Sequence, residues 1–377
     1  MNIIIGADIV PTQSNERVFS GGDIDALIGE DLKSVLSKAD YRIFNLETPL
    51  VDSLCPIKKC GPTLAATKET IVGIKKIGVD LFTLANNHIL DQGIQGIQST
   101  VSTLDSVGIS WIGIGDNVTR MECSKIVDIE EKKIGVFACA EHEFSIALED
   151  KPGANPFDAR FSISQISSIK TKCDYLVVLY HGGKEEYKYP TPELQKNCRS
   201  IIDAGADIVI CQHSHCIGCE ELYKKGRIVY GQGNFIFDEG SNELWNTSLL
   251  VEIRDNFEVG YIPIIKKDYG IRLASDIEKQ TIMSDFITRS EKIQSEAFIK
   301  ESFESLCAER ENHYLLRLLG VNRLSFLFRI MNRITNRKWE NYVIKKRLNS
   351  SYLLTLINFI ECEPHREILL TILKKRV

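Results

Sequence analysis

A small set of carboxylate, amide and imidazole side chains in this 377-residue chain has the composition of a metal site. The candidate ligands are Asp8, Glu47, Asn87, His181, His213 and His215. The His-x-His pair is the strongest signal, because two imidazoles spaced in this way along a strand lie on one face. A mixed nitrogen and oxygen set suits one or two ions of Mn²⁺, Zn²⁺, Fe²⁺ or Co²⁺, and argues against Ca²⁺ or Mg²⁺ sites built only from oxygen.

These residues stand at or just after the carboxyl ends of predicted strands. Asp8 ends the apolar run at 2–8, Glu47 ends the run at 41–47, and His181 ends the run at 174–181. In open α/β sheets, ligands bind in the crevice outside the carboxyl ends of the strands. We therefore expect the fold to bring these distant residues into one cleft.

Residues 1 to 265 alternate between short apolar runs and amphipathic stretches. The predicted strands cover 2–8, 41–47, 80–86, 110–115, 133–140, 174–181, 207–213, 227–237 and 248–253. The predicted helices cover 24–39, 67–78, 94–108 and 191–205, and the last three end in glycine, a common signal at helix C-termini. Strands separated by helices of this length predict a layered α/β fold.

The pattern changes near residue 270 and predicts a domain at 1–270 followed by a helical, basic region at 280–377. From residue 284 onward the chain has 17 Lys and Arg against 11 Asp and Glu. The segment 315–334 spaces arginines among large apolar residues, so it could contact an anionic membrane surface. The alternative is a helix pair that packs on the α/β domain with its arginines solvated.

Composition argues against several classes of protein. The net charge of −5 is unlike that of a dedicated nucleic-acid binder, which needs a cationic surface. No apolar run approaches the roughly 18 residues that a membrane span needs, and the first residues lack the basic region of a secretory signal. The 11 cysteines show no framework of a small secreted domain, so we expect reduced thiols in a cytoplasmic protein.

Two groups of residues near the candidate ligands have alternative interpretations. Cys211, Cys216 and Cys219 could form a structural zinc site with the neighbouring histidines, although a second Cys-x₂-Cys pair is missing. Lys58 and Lys59 could attract an anionic substrate, or they could be a solvated charge run.

Six motifs resemble, in order and spacing, those of the CapA family, a capsule-synthesis or poly-γ-glutamate-associated group of the calcineurin-like metallophosphatase superfamily. The motifs are GAD at 6–8, NLETPL at 45–50, LANNHILDQG at 84–93, HGGKEEY at 181–187, CQHSHCIGCEE at 211–221 and YGQGNFIFD at 230–238. The resemblance covers about residues 1–265. It implies a four-layer metallophosphatase-like fold, with two mixed β-sheets packed face to face and helices outside, here followed by an α-helical C-terminal extension.

The resemblance also implies a role for each candidate residue. Asp8 and His215 would hold one metal, Asn87, His181 and His213 would hold a second, and Glu47 would bridge the two. His88, next to Asn87, would act as general acid or stabilise the transition state, and Asn45 would orient Glu47. Val10 stands where the superfamily usually has a histidine. The sequence therefore leaves open whether the centre holds two ions firmly or only one.

Three polar residues are candidate substrate contacts: Asn45, Lys184 and Asn234. Lys184 follows a pair of glycines that allow close backbone approach. Asn234 ends the GQGN turn, where backbone amides could meet an anion, although the same residues could form a tight turn between strands.

Together these features predict a metal-dependent hydrolase, of phosphatase or phosphodiesterase type. The resemblance implies that its substrate is a phosphoester or an anionic polymer, in the synthesis of capsule, exopolysaccharide or poly-γ-glutamate. A bound cation can lower the pKa of water toward roughly 7, and His88 could protonate the leaving oxygen. The alternative is a non-catalytic factor that uses the metal site to hold an anionic polymer for a capsule synthase.

Overall fold

The computed structural model describes residues 1–238, 242–321, 326–336 and 338–376. Its strands are β1 (Ile3–Val10), β2 (Tyr41–Leu46), β3 (Leu50–Val51), β4 (Ala66–Thr67), β5 (Leu81–Thr83), β6 (Ser110–Ile112), β7 (Ile114–Asn117), β8 (Arg120–Glu122), β9 (Ser124–Ile129), β10 (Lys132–Ala140), β11 (Gly153–Ala154), β12 (Tyr175–His181), β13 (Ile208–Gln212), β14 (Glu220–Tyr223), β15 (Gly226–Val229), β16 (Asn234–Phe237), β17 (Thr247–Ile253), β18 (Val259–Lys267) and β19 (Gly270–Leu273). Its α-helices are α1 (Glu16–Gly21), α2 (Ile24–Ser37), α3 (Ile71–Ile77), α4 (Gly93–Ser106), α5 (Phe161–Lys170), α6 (Pro192–Asp203), α7 (Asp276–Lys292), α8 (Glu296–Leu318), α9 (Phe326–Ile334), α10 (Lys338–Arg347), α11 (Ser350–Glu361) and α12 (Glu363–Lys374).

The chain forms two compact units, Met1–Ile299 and Lys300–Val377. The first unit contains all strands of the described chain and extends through α7. Phe286 of α7 is fully buried and packs with Ile217 and Leu249. Helical periodicity alone placed α7 in the C-terminal region, because the sequence does not show which surface this helix covers. The predicted domain boundary thus differs from the compact units, and the domain assignment itself stays a prediction.

Two mixed sheets form the centre of the first unit. The eight-stranded sheet has the order β19-β18-β17-β1-β2-β5-β6, and β16 pairs with β1 outside this path. The six-stranded sheet has the order β14-β15-β13-β12-β10-β9. The runs β1-β2-β5-β6 and β10-β12-β13-β15 are parallel. Each sheet therefore presents several carboxyl strand ends along one edge.

The two sheets pack face to face, and helices cover the outer faces. Along β12, Val177 and Leu179 lie in the core shared with the eight-stranded sheet, whereas Leu176 and Val178 lie in a second core with helices α5 and α6. A strand buried on both faces shows this alternation, because successive side chains point to opposite sides. Helices α1, α2 and α3 pack against the eight-stranded sheet. The four-layer fold that the resemblance implied is confirmed.

The predicted strand RIVYGQGNFIF is two strands in different sheets. Its first half, β15, pairs with β13, and its second half, β16, pairs with β1. Gly231 and Gly233 have φ values of 122° and 81°, which side-chain-bearing residues rarely adopt. Between them the buried Gln232 donates from Nε2 to the carbonyl oxygens of Ile5, at 2.9 Å, and Leu249, at 3.0 Å. The GQGN segment is thus a crossover between the sheets.

Helices of the described ranges are all too short or too polar to cross a membrane. The cytoplasmic location expected from the sequence stays a prediction.

Close packing at Gly6 of β1 gives a first testable prediction. A Cβ placed at Gly6 would lie 2.0 Å from Cε1 of Phe44, which is fully buried and packs on Phe235 with ring centroids 4.5 Å apart. We expect Gly6→Ala to lower the free energy of unfolding by about 1–3 kcal/mol, the usual cost of overpacking. Gly21→Ala is the control, because nothing lies within 4 Å of a Cβ at that position. Urea denaturation would contradict this account if both substitutions had the same effect.

Candidate metal centre

The candidate centre lies where the carboxyl ends of parallel strands from both sheets meet. In the eight-stranded sheet, Asp8 of β1 lies beside Asn45 of β2 and Asn234 of β16. In the six-stranded sheet, His181 is the last residue of β12, and His213 directly follows β13. The edge predicted from the sequence therefore brings these residues together across two sheets.

The backbone turns at both histidines of the His-x-His pair. His213 and His215 have φ values of 97° and 52°, in the left-handed region, so the strand does not continue through them. Their ring centroids nevertheless lie 5.9 Å apart. Both imidazoles would lie on one face only if strand geometry persisted through the pair, and this condition is not met. A left-handed turn, rather than strand alternation, brings them together.

Four groups of three side chains among the described residues could each hold a metal ion, and the two groups made up only of buried residues share Glu47. One set is Glu47, His181 and His213, and the other is Asp8, Glu47 and His215. Within each set the ligand atoms lie within 4.8 Å of one another, and all five residues are buried. A carboxylate common to both sets is the arrangement that a bridging ligand between two ions requires.

The carboxylate oxygens of these sets fit a cation. Oδ2 of Asp8 and both carboxylate oxygens of Glu47 are buried and have no hydrogen-bond partner among the described residues. Oε1 of Glu47 lies 3.2 Å from Nε2 of His181, a close contact without hydrogen-bond geometry. A buried carboxylate is costly unless it is paired or coordinates a metal. The residues present therefore match the demands of a divalent ion.

The protonation of the imidazoles also suits a metal. Burial lowers the pKa of His181 and His213 well below the usual value, and neighbouring histidines lower it further. Both rings are therefore neutral near pH 7, which is the form in which an imidazole binds a metal. Burial, together with the charge of Glu47, raises the pKa of Asp8 to about 8. Burial also raises the pKa of Glu47.

Asparagine side chains surround the candidate ligands. Oδ1 of Asn87 lies 3.0 Å from Nε2 of His181, which places Asn87 beside the set that contains His181 and His213. Asn45 donates to Oδ1 of Asp8 at 2.7 Å and lies 3.3 Å from Nδ1 of His181. The expectation that Asn45 orients Glu47 is wrong, because the β1–β2 register places Asn45 opposite Asp8.

Asn234 and Lys184, the other predicted substrate contacts, have different surroundings. Nδ1 of His215 lies 2.8 Å from Oδ1 of the buried Asn234 and 3.6 Å from Oδ2 of Asp8. The side chain of Lys184 is 38% exposed, with Nζ 4.0 Å from Oε2 of Glu185. Substrate contact by Asn45, Lys184 and Asn234 stays a prediction.

The alternative interpretations of the nearby cysteines and lysines have different outcomes. Among the described residues, the candidate metal groups include no cysteine. The alternative of a structural zinc site formed by Cys211, Cys216 and Cys219 therefore gains no support. Lys59 is not a solvated charge, and attraction of an anionic substrate by Lys58 and Lys59 stays a prediction. The side chain of Lys59 is 4% exposed, and Nζ lies 2.5 Å from Oδ1 of Asp91.

Sequence reasoning missed the carboxylate that holds His88. Oδ2 of Asp91 lies 2.5 Å from Nδ1 of His88, and Asp91 is fully buried. The three-residue spacing of His88 and Asp91 could have indicated this pair. No comparable signal exists for Lys59, the ion-pair partner of Asp91, because it lies in a loop about thirty positions earlier in the sequence.

Glu141 is a second carboxylate that the sequence analysis missed. It directly follows β10, so the rule that selected the other strand ends would have found it. Its Oε1 lies 3.7 Å from Nε2 of His213, and its Oε2 accepts a hydrogen bond from the backbone of Gly183 at 2.9 Å. Burial raises the pKa of Glu141 to about 7. Nδ1 of His213 is buried without a partner among the described residues, so that nitrogen is left for a metal.

The four layers of the first unit, and the ligand sets gathered between its two sheets, place this chain in a class of four-layer α/β proteins with a candidate centre for divalent ions. Within this class, the chain belongs to the family described as bacterial capsule synthesis protein PGA_cap, which it matches over residues 2–239.

Two relatives of this chain come from bacilli. The capsule biosynthesis protein CapA of Bacillus anthracis is 30% identical over 232 residues, which cover 59% of this chain and 56% of that relative. The match thus spans little more than half the length of the relative. The PGA biosynthesis protein CapA of Bacillus subtilis is 28% identical over 302 residues, or 75% of this chain and 78% of that protein.

Solved structures are less similar. A structure described as a novel phosphatase of Mycoplasma pneumoniae has 14% identity and a TM-score of 0.45, and covers 71% of this chain and 94% of that one. So weak a likeness supports no conclusion about this chain. The fold assignment rests on the layers described above.

Proposed function

We propose that this chain is a divalent-metal-dependent hydrolase that acts on a phosphoester or on another bond of an anionic polymer, in the synthesis of capsule or poly-γ-glutamate. One observation carries the proposal. The buried Glu47, with both oxygens lacking a hydrogen-bond partner among the described residues, belongs to both candidate ligand sets. A structural role alone would not explain a buried carboxylate that lacks hydrogen bonds and lies among three buried histidines.

The side chains of this centre have distinct roles in the proposed reaction. Asp8, Glu47, His181, His213 and His215 would hold the ions, and the amide oxygen of Asn87 would add a ligand. When bound, divalent ions supply Lewis acidity and lower the pKa of water.

His88 supplies the proton in the proposed reaction. Its Nδ1 contacts Asp91 at 2.5 Å, so Nε2 is the nitrogen that remains for a substrate. Nε2 donates its proton to the leaving atom as the scissile bond breaks, an oxygen in a phosphoester or a nitrogen in an amide, and a proton released by the attacking water restores the ring. Lys59 balances the charge of Asp91, which keeps that carboxylate fixed beside the ring.

The proposed substrate class draws on the relatives. Two of them are named for capsule and PGA biosynthesis, and a third, from Mycobacterium tuberculosis, is described as a polyglutamine synthesis accessory protein, with 30% identity over 168 residues. The names that refer to capsule and PGA biosynthesis suggest an anionic polymer as substrate, and the synthesis machinery is the proposed partner.

The description of that relative as an accessory protein favours a second candidate function. In this alternative the metal centre binds an anionic polymer without cleaving it, and the chain acts as an assembly factor. The two functions differ in the role of His88, because polymer binding by metal ions needs no proton donor.

The test of the proposed hydrolase is turnover by the purified full chain. The protein would be stripped with a chelator, reloaded with Mn²⁺, Zn²⁺ or Fe²⁺, and assayed with a generic aryl phosphodiester and with poly-γ-glutamate. Hydrolysis of either substrate that depends on the added metal would support the proposal. Metal binding at full stoichiometry without hydrolysis of either substrate would contradict it and favour the assembly factor.

A further inference from the structure

The second compact unit has the opposite charge to the first. Residues 300–377 contain 15 Lys and Arg against 8 Glu and no Asp, whereas residues 1–299 contain 31 Lys and Arg against 43 Asp and Glu. The second unit is therefore cationic within an acidic protein. Such a segregation of charge indicates a surface that meets an anionic partner.

Large apolar side chains are exposed on helices α11 and α12. In α11, Leu354, Ile357 and Ile360 follow at intervals of three residues, which places them on one stripe, with exposed fractions of 68%, 47% and 61%. In α12, Ile368 and Leu373 are 57% and 49% exposed. Exposed apolar side chains grouped in this way indicate a surface that contacts a membrane or another protein.

Basic triplets flank these two helices in the sequence. Lys345, Lys346 and Arg347 end α10 just before α11 begins, and Lys374 to Arg376 end the described chain after α12. All six side chains are exposed. Basic residues beside an exposed apolar stripe are the pattern of helices that lie in a membrane interface.

Helix α9 shows the same pattern in the segment that the sequence analysis singled out. Phe326 and Leu327 are 77% and 75% exposed, and Arg329 and Arg333 lie in the same helix. Residues 322–325 of that segment lie outside the described residues.

We propose that the second unit binds the surface of a bilayer containing anionic phospholipids, with its apolar side chains in the interface and its basic residues at the headgroups. A bilayer meets both demands at once, because lipid headgroups attract the basic triplets and the acyl boundary covers the apolar stripe. A soluble polyanion would pair with the basic residues but would leave the apolar side chains in water. The unit lies on the membrane without crossing it, since the described helices include no membrane span.

The test is cosedimentation of the full chain with lipid vesicles. We expect strong binding to vesicles of phosphatidylcholine with about one third phosphatidylglycerol, and at least tenfold weaker binding to pure phosphatidylcholine. Increased salt should also weaken binding, because the attraction is partly electrostatic. Replacement of Lys374, Lys375 and Arg376 by Gln should lower the partition coefficient at least tenfold.

A second pair of variants separates lipid from other occupants. Leu354→Gln with Ile360→Gln should weaken vesicle binding at least tenfold. Leu222→Gln with Ile277→Gln, at positions 70% and 78% exposed in the first unit, should leave it unchanged. Each variant's circular dichroism should match that of the unaltered chain, because these side chains are exposed.

Three results would overturn the proposal. The first is equal binding to both kinds of vesicle, or none. The second is binding that the Leu354 and Ile360 substitutions leave intact, which would indicate a soluble polyanion as the ligand of the basic residues. The third is a dimer, seen by light scattering, that those substitutions dissociate, which would assign the apolar stripe to a second copy of this chain. None of these readouts depends on hydrolase activity.

Discussion

Glu47→Gln is expected to strip the protein of most of its bound metal and to abolish metal-dependent turnover. The reason is geometric, because Glu47 belongs to both candidate ligand sets and its loss weakens two ion positions together. Loss of a residue that merely supports a ligand typically lowers metal affinity by roughly 10–100-fold. We therefore expect a larger loss of affinity for Glu47→Gln, measured by competition with a chromogenic chelator.

The same substitution should have the opposite effect on the stability of the metal-free protein. Both oxygens of Glu47 lack a hydrogen-bond partner among the described residues, so removing this buried carboxyl group should raise the free energy of unfolding by about 1 kcal/mol or more. Glu221→Gln is the matched control, since this carboxylate is also buried but contacts Arg199 and Tyr230, each at 2.6 Å. We expect Glu221→Gln to lower the free energy of unfolding by about 1–3 kcal/mol.

Chemical denaturation in the presence of a chelator measures this difference. A metal-free Glu47→Gln protein that is less stable than the unaltered chain would mean that Glu47 has a structural partner and is not held ready for a cation.

His88→Ala is expected to lower kcat by about 10²–10⁴-fold, the usual contribution of a general acid. Metal content should stay near that of the unaltered chain, because His88 belongs to neither ligand set. The buried Asp91 fixes the ring through Nδ1, so the substitution removes a proton donor without removing a ligand. Steady-state kinetics with the metal content of each preparation determined in parallel would measure the effect.

The control for His88→Ala is His142→Ala. His142 contacts the carbonyl oxygen of Phe157 at 3.2 Å and belongs to neither shared ligand set. We expect kcat within about twofold of the unaltered value for this variant. If His88→Ala retained full turnover, the general-acid role would be excluded and the metal centre would need a different proton source.

Much of the fold follows from local patterns. Runs such as 174–181 are apolar on both faces, as parallel strands between two layers must be, and glycines such as Gly78 mark the ends of helices. The division of β15 and β16 between two sheets could not be predicted, because the sequence of an apolar run does not show which strands it will pair with. The packing of α7 within the first unit could not be predicted for the same reason, because it depends on a surface formed by strands that are distant in the sequence.

The sequence predicts those residues of the candidate site that stand at the carboxyl end of a strand. That rule found Asp8, Glu47 and His181. It did not show how His213 and His215 converge, because their left-handed backbone conformations are set by tertiary contacts. Contacts between loops, such as the ion pair of Lys59 with Asp91, leave no periodic trace in a sequence.

The most direct test of the central claim is a crystal structure of the protein soaked with Mn²⁺ or Zn²⁺, with anomalous scattering measured at the absorption edge of the metal. The claim predicts an anomalous peak bonded to Glu47 at about 2.0–2.2 Å, shared with His181 and His213 or with Asp8 and His215. If both sets bind, a second peak should lie about 3.5–4 Å from the first. Soaked crystals without a peak bonded to Glu47 would contradict the claim.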